Sequence, residues 1–162
     1  MQSSYRMDNR TSKQFMEDIE LSSKIERLIV ERYARYVKRV YGVEIVVTDN
    51  GCDNSGGYLP DCKVSTKADF LINGKPYEIK HFKPMLRELP LKADSLQSYI
   101  DQGAQILLVN GYASKHPQFT LIQPHHIQRI VDTCTTVPHK PWGGKPVYMM
   151  LKKDFNWNNL DD

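Results

Sequence analysis

The sequence predicts a single α/β domain, residues 1–162, in which helices flank a mixed central sheet. Three observations indicate this fold class. Apolar residues recur with the 3.6-residue period of a helix between residues 24 and 41. Asn73 and Gly74 separate two short β-rich runs, which is typical of a two-residue hairpin turn. A continuous apolar run at 105–110 is typical of a strand buried on both faces.

Sequence patterns also place the remaining elements. Gly42 and Gly103 are the expected helix stops, and Asp94-Ser95 and Pro124 are expected helix starts. In chain order, the predicted segments are a flexible arm (1–12), a short helix (13–20), a helix that starts after Ser22-Ser23 and ends at Tyr41, a buried strand (43–48), a long loop (49–65), the hairpin (67–81), an irregular stretch bracketed by Pro84 and Pro90, a helix (94–102), strands at 105–110 and 119–123, a helix (124–134), a strand (146–153) and a frayed tail (156–162).

The composition is that of a globular protein with a mildly positive charge. A chain of 162 residues is long enough to bury a core, and its net charge of +3 is compatible with a polyanionic partner. No apolar run is long enough to cross a membrane, and the first residues lack the hydrophobic segment of a signal peptide. We therefore expect a cytoplasmic protein without a membrane partner. The three cysteines have spacings that favour free thiols over a zinc or redox motif.

The hairpin carries three charged groups on one face. A two-residue turn at Asn73-Gly74 places Asp69 directly opposite Glu78, and the alternation of side chains puts Lys80 on the same face. Opposed carboxylates on neighbouring strands repel each other, so a sheet would normally avoid this pair. A hard divalent cation such as Mg²⁺ would remove the repulsion. The alternative interpretation is a solvated face whose charges are neutralised by lysines.

This spacing resembles the signature of the PD-(D/E)xK nuclease superfamily. The matching residues are Asp69, then eight residues, then Glu78-Ile79-Lys80, and the element order resembles the αβββαβ restriction-endonuclease-like core. The resemblance implies a Mg²⁺- or Mn²⁺-dependent nuclease. Asp69, Glu78 and the Ile79 carbonyl would bind the metal, and Lys80 would position or help to deprotonate the attacking water.

One residue departs from the signature. Ala68 stands where the family has proline before the aspartate, whereas a literal Pro-Asp occurs at Pro60-Asp61 in the long loop. The hairpin geometry favours Asp69, because the loop position does not place Asp61 opposite Glu78.

Glu26 is a further candidate for the site. On a helical projection it falls within the apolar arc that faces the sheet. The resemblance implies that a glutamate on the first helix completes the metal shell, directly or through water. The alternative is a capping box, in which Glu26 reaches back to the backbone of Ser23. The two roles are compatible with each other.

Five residues are candidates for substrate contacts. The helix at 24–41 has an excess of positive charge, and Arg32 and Arg35 within it would hold a phosphate backbone, unless they form only a solvated surface. Lys67 lies at the start of the hairpin. Gln97 follows from the resemblance, because some such nucleases carry a glutamine on the helix after the lysine strand. Trp142, in a loop rich in Pro and Gly, would either stack a base or cap the core.

The expected function is hydrolysis of phosphodiester bonds in nucleic acid, with a DNA endonuclease favoured. Residues 68–80 also resemble nuclease domains of contact-dependent toxins and phage-associated proteins, some of which cleave tRNA, so RNA is an alternative substrate. A catalytically silent nucleic-acid-binding module with the same fold is the second alternative. A homodimer would suit double-strand cleavage, although the sequence shows no evident interface.

Overall fold

The computed structural model describes residues 11–50 and 67–161, which form helices packed on both faces of a sheet. Its α-helices are α1 (Ser12–Tyr41), α2 (Ala93–Gln102) and α3 (Pro124–Thr133). Its strands are β1 (Val47–Asp49), β2 (Phe70–Ile72), β3 (Lys75–Phe82), β4 (Glu88–Lys92), β5 (Gln105–Asn110), β6 (Gln118–Ile122), β7 (Val137–His139), β8 (Lys145–Leu151) and β9 (Asn158–Asn159).

The strands form two sheets. The larger sheet has six strands in the order β1-β2-β3-β5-β6-β9, and only its β3–β5 pair is parallel. The smaller sheet is antiparallel, with the order β4-β8-β7. No helix in the described ranges is long and apolar enough to cross a membrane.

Apolar side chains cover both faces of the larger sheet. On one face, Leu107 and Val109 of β5 pack in a cluster with the buried side of α1. On the other face, Ile106 and Leu108 pack with α2, α3 and the smaller sheet. The prediction of a mixed sheet flanked by helices is therefore confirmed, as is the prediction that the strand at 105–110 is buried on both faces.

The hairpin has the predicted register. Phe70 pairs with Tyr77, and the turn residues Asn73 and Gly74 have φ values of 49° and 78°, as a type I′ turn requires. Phe70 and Tyr77 enter the cluster under α1. Because side chains alternate along a strand, Glu78 faces the opposite side of the sheet, towards α2.

The N-terminal helix differs from the prediction of two helices. α1 is continuous from Ser12, and its capping box is formed by Thr11 and Gln14. The predicted capping box at Ser23 and Glu26 is therefore wrong. Serine has a weak helix propensity, but burial of the apolar side of α1 outweighs that cost, and the Ser22 hydroxyl bonds within the helix.

Two other segments differ from the prediction. The expected buried strand at 43–48 is a short edge strand, β1, and Val46 just before it is 66% exposed. The stretch between Pro84 and Pro90 was expected to be irregular; residues 84–87 are, but β4 begins at Glu88. β4 lies at the edge of its sheet, where the missing N–H of Pro90 can be tolerated.

The C-terminal segment is ordered instead of frayed. Asn158 and Asn159 form β9 against β6, and the side chain of Leu160 is 1% exposed in the cluster under α1. Asp161 binds Arg32 of α1. The apolar contact of Leu160 and this ion pair together hold the tail against the domain.

Several predictions fall outside the described residues. These are most of the N-terminal arm, since Thr11 and Ser12 begin α1, and most of the long loop, which includes Asp61 and two of the cysteines. Cys134, the cysteine within the described ranges, is a free and exposed thiol.

Candidate active site

The site lies at the point in the larger sheet beyond which β2 no longer pairs with β3. β2 begins at Phe70, opposite Tyr77, whereas β3 continues to Phe82. From Glu78 onward, β3 is paired along one edge with β5, and no described strand covers its other edge. Beside this opening, side chains of α1, of β3 and of the smaller sheet line one cleft, and Asp69 and Glu78 are not among its lining residues.

The Asp69 carboxylate accepts a backbone hydrogen bond at this opening. The N–H of Ile79 donates to Oδ2 of Asp69 at 2.9 Å, which replaces the strand partner that β2 no longer supplies. Because the N–H and C=O of one strand residue point to the same edge, the Ile79 carbonyl is directed to the same side. A carboxylate and a carbonyl therefore converge at the opening.

Glu78 is buried and bonded to two side chains. Its Oε1 accepts from the Lys80 ammonium at 2.6 Å and from the Tyr99 hydroxyl of α2 at 2.7 Å. The Lys80 Nζ also lies 5.5 Å from the centre of the Tyr99 ring. Tyr99 was not predicted as a site residue, because the sequence gives no register between α2 and the hairpin.

Burial and mutual repulsion perturb the charged groups strongly. Burial, and then the charges of Glu78 and Glu26, raise the pKa of Asp69 well above its ordinary value. Burial lowers the pKa of Lys80, but the neighbouring Glu78 and Asp69 outweigh that effect and leave the pKa raised. Burial also raises the pKa of Tyr99 to about 12. At neutral pH, Lys80 is therefore a cation and Tyr99 a neutral hydrogen-bond donor.

Glu26 reaches the cleft from α1. Its Oε1 accepts from the Ser22 hydroxyl at 2.9 Å and lies 3.9 Å from Nε2 of His81. Burial raises the pKa of Glu26 to about 7; the Ser22 bond and the Lys80 charge oppose the shift, and Glu78 adds to it. The prediction from the helical projection that Glu26 faces the sheet is thus confirmed.

His81 is a neighbour of the site that the sequence analysis did not select. Burial and the charge of Lys80 lower its pKa to about 4, so the imidazole is neutral at neutral pH. Its ring packs edge-on against Tyr112 at 5.4 Å, and its Nε2 lies 3.4 Å from the Ser22 hydroxyl. The only signal in the sequence was its position directly after Lys80.

The cleft at the opening has a volume of about 270 Å³. Its polar and aromatic walls come from three parts of the fold: Ser22 and Glu26 of α1, Lys80 and His81 of β3, and Lys92 and Trp142 beside the smaller sheet.

Comparisons of the chain with protein-family models, with curated proteins and with solved structures found no match.

The carboxylates offer a partial set of metal ligands. Within residues 11–50 and 67–161, no group of three or more His, Cys, Asp or Glu side chains is arranged to hold a metal ion. Asp69 and Glu78 do lie side by side, and no described residue bonds to Oε2 of Glu78. Mg²⁺ commonly takes one or two carboxylates and keeps several waters. The carboxylates of Asp69 and Glu78, together with the Ile79 carbonyl, match this preference for oxygen ligands.

The predicted substrate contacts lie elsewhere. Gln97 is on the exposed side of α2 and donates to Asp101, whereas Gln102 is the glutamine that reaches the hairpin, accepting from the N–H of Ala68 at 2.9 Å. Arg32 binds Asp161 and contacts the Tyr112 carbonyl. Arg35 and Lys67 are exposed, and neither lines the cleft.

Proposed function

We propose that the protein is a Mg²⁺- or Mn²⁺-dependent nuclease with a restriction-endonuclease-like core. The observation that supports it most is the placement of Asp69 beside Glu78 at the open edge of β3, with the Lys80 ammonium bonded to Glu78. An arrangement of buried carboxylates that repel each other is unfavourable unless a cation or an incoming proton relieves it.

The order of elements also supports this core. α1, β1, β2, β3, α2 and β5 follow the αβββαβ order, with β4 inserted between β3 and α2. The parallel pairing of β3 with β5 across α2 is the crossover that such an order requires. Fold alone does not select the reaction, so the chemistry has to come from the site.

Each side chain of the site would have a separate role. When bound, the metal ion would supply a water of lowered pKa and polarise a phosphoryl oxygen. Asp69, Glu78 and the Ile79 carbonyl would hold it. Lys80 remains charged at neutral pH, which suits it to orient the nucleophile and to offset negative charge in the transition state. This role differs from deprotonation of the water.

Glu26 is better suited than Lys80 to accept a proton. Its pKa of about 7 lies near neutral pH, where a general base is most effective. The Ser22 hydroxyl fixes the orientation of the carboxylate. In this arrangement Glu26 would receive the proton of the attacking water while Lys80 stays protonated.

The decisive test is cleavage of a substrate panel with Mn²⁺ or with EDTA. The panel comprises plasmid DNA, branched DNA, single-stranded DNA and total RNA. We take DNA as the substrate, and cleavage of RNA alone would select the toxin-like alternative. Glu78→Gln should lower the cleavage rate at least about 100-fold. The matched control is Glu88→Gln, because Glu88 is exposed at the start of β4.

Two results would contradict the proposal. One is cleavage that persists in EDTA, and the other is an equal rate in the Glu78→Gln variant and the Glu88→Gln control. The absence of a three-ligand metal group in the described residues gives weight to a second candidate, a nucleic-acid-binding module without catalysis. Nucleic-acid binding without metal-dependent cleavage of any substrate would favour that module.

A further inference from the structure

Trp142 stands at the tip of the β7–β8 hairpin and forms one wall of the cleft. The turn is fixed by Gly143 and Gly144, whose φ values of 69° and 79° suit glycine. Both N–H groups bond back across the turn, to the carbonyls of Lys140 and His139. The indole is therefore held in place by a defined turn.

The surroundings of Trp142 differ from those of a core tryptophan. Its ring is half-buried and belongs to neither apolar cluster of the described residues. Trp157, by contrast, packs against the cluster of the α2 side and donates its indole N–H to the Lys152 carbonyl at 2.7 Å. Capping of the core is therefore the role of Trp157 and not of Trp142.

The neighbours of the Trp142 ring are polar or cationic. The Lys92 Nζ lies 5.2 Å from the ring centre, and His139 packs edge-on at 4.6 Å. Lys140 precedes it in the same turn and is exposed. An aromatic surface next to cations is the combination that binds single-stranded nucleic acid, where bases stack and the backbone is neutralised.

The cleft connects this ring to the candidate active site. Trp142 and Lys92 line the same cavity as Lys80, Glu26 and His81. A volume of about 270 Å³ lies just below the range of about 300–1,000 Å³ for small-molecule sites, so the cleft is too small for a duplex and has room for a single nucleotide at most. A base on Trp142 would place the adjoining phosphate towards Lys80.

We propose that the cleft binds one unpaired nucleotide, with its base stacked on Trp142, so that the substrate is single-stranded or locally unpaired nucleic acid. This inference rests on the proposed function and specifies its substrate class. In a duplex, each base is already stacked and paired, so extruding it into the cleft is unfavourable. A strand that is already unpaired avoids that cost and gains the stacking energy.

Binding in EDTA tests the inference without cleavage. The probes are fluorescein-labelled oligothymidylate, oligouridylate and a DNA duplex of the same length, and the affinities are measured by anisotropy. Trp142→Ala should weaken binding of the single strands roughly 5- to 150-fold, the equivalent of 1–3 kcal/mol of stacking, and leave duplex binding unchanged. Trp142→Phe should retain most of the affinity, because it keeps an aromatic face.

Intrinsic fluorescence provides a second measurement that needs no change at Trp142. The chain contains two tryptophans, so Trp157→Phe leaves Trp142 as the reporter. Its emission should be quenched by unlabelled oligothymidylate and not by the duplex.

Three results would overturn the inference: unchanged single-strand affinity in Trp142→Ala, an equal loss for single strands and duplex, or no binding of any probe. The inference and the proposed function can fail separately. Trp142-dependent binding without metal-dependent cleavage would reject the nuclease and keep the binding site. Metal-dependent cleavage of duplex DNA at a rate that Trp142→Ala does not change would keep the nuclease and reject the binding site.

Discussion

At the scale of single residues, the site concentrates negative charge that the fold only partly compensates. Glu78 has two donors on one oxygen, Asp69 has the Ile79 N–H, and Glu26 has the Ser22 hydroxyl. The pKa values of Asp69 and Glu26 remain raised in spite of these bonds. Both carboxylates therefore reduce the stability of the metal-free protein when they ionise.

Glu26 should make the folded protein less stable as the pH rises. Its pKa rises from 4.5 to about 7 on folding, so its contribution is present below pH 4.5 and is lost as the pH rises through 7. Glu26→Gln should therefore match the wild type near pH 4 and exceed its unfolding free energy by about 3 kcal/mol at pH 8. Urea denaturation in EDTA measures the difference.

The test compares Glu26→Gln with the wild type at each pH, because His81 changes the stability of both proteins with pH in the opposite direction. Its lowered pKa makes stability fall as the pH drops below 6.5. The exposed Glu31 of α1 supplies the control, since Glu31→Gln should differ little from the wild type at either pH. A difference for Glu26→Gln that did not grow between pH 4 and pH 8 would refute the assignment of its pKa.

The hydroxyl of Tyr99 is a second test at this scale. Tyr99→Phe removes a donor to the charged Glu78, which should lower the unfolding free energy by about 2 kcal/mol. Tyr148 is a matched control, because it is similarly buried, 8% exposed against 6%, and no described residue bonds to its hydroxyl. Tyr148→Phe should be nearly neutral in the same denaturation experiment. Equal losses in the two variants would show that the Tyr99 bond adds no stability.

At the scale of elements, local patterns predicted what local chemistry determines. The Asn73-Gly74 turn alone fixed the hairpin register, and with it the placement of Asp69, Glu78 and Lys80. Pro124 at the first turn of α3 and Gly103 at the end of α2 are also where the sequence predicted them. These features depend on backbone conformations that few residues can adopt.

Elements that depend on distant partners were predicted less well. The smaller sheet joins β4 to β8 across more than fifty residues. Its strand β8 was predicted, at 146–153, but β4 and β7 were not, and each of these two contains a proline that argues against a strand when read alone. The same is true of the site residue Tyr99, which reaches Glu78 only through the packing of α2 against the sheet. Local patterns carry no information on that packing.

At the scale of the whole molecule, the C-terminal segment joins α1 to the sheet. Leu160 is buried in the cluster under α1, so Leu160→Ala should lower the unfolding free energy by about 2 to 4 kcal/mol. The control is Leu21, which lies on α1 but is 59% exposed. Leu21→Ala should change the unfolding free energy by less than about 0.5 kcal/mol. Guanidinium denaturation separates the two. An unchanged unfolding free energy in Leu160→Ala would instead support the frayed tail that the sequence predicted.

The two outermost strands of the larger sheet bear on how copies of the chain could associate. In the described residues, β1 has three residues and β9 has two, so each sheet edge offers few free backbone groups to a strand of another molecule. Very short edge strands are a common protection against aggregation through continued β-pairing. A homodimer that aligns two clefts for double-strand cleavage would accordingly not form by pairing β1 or β9 of one copy with the sheet of the next.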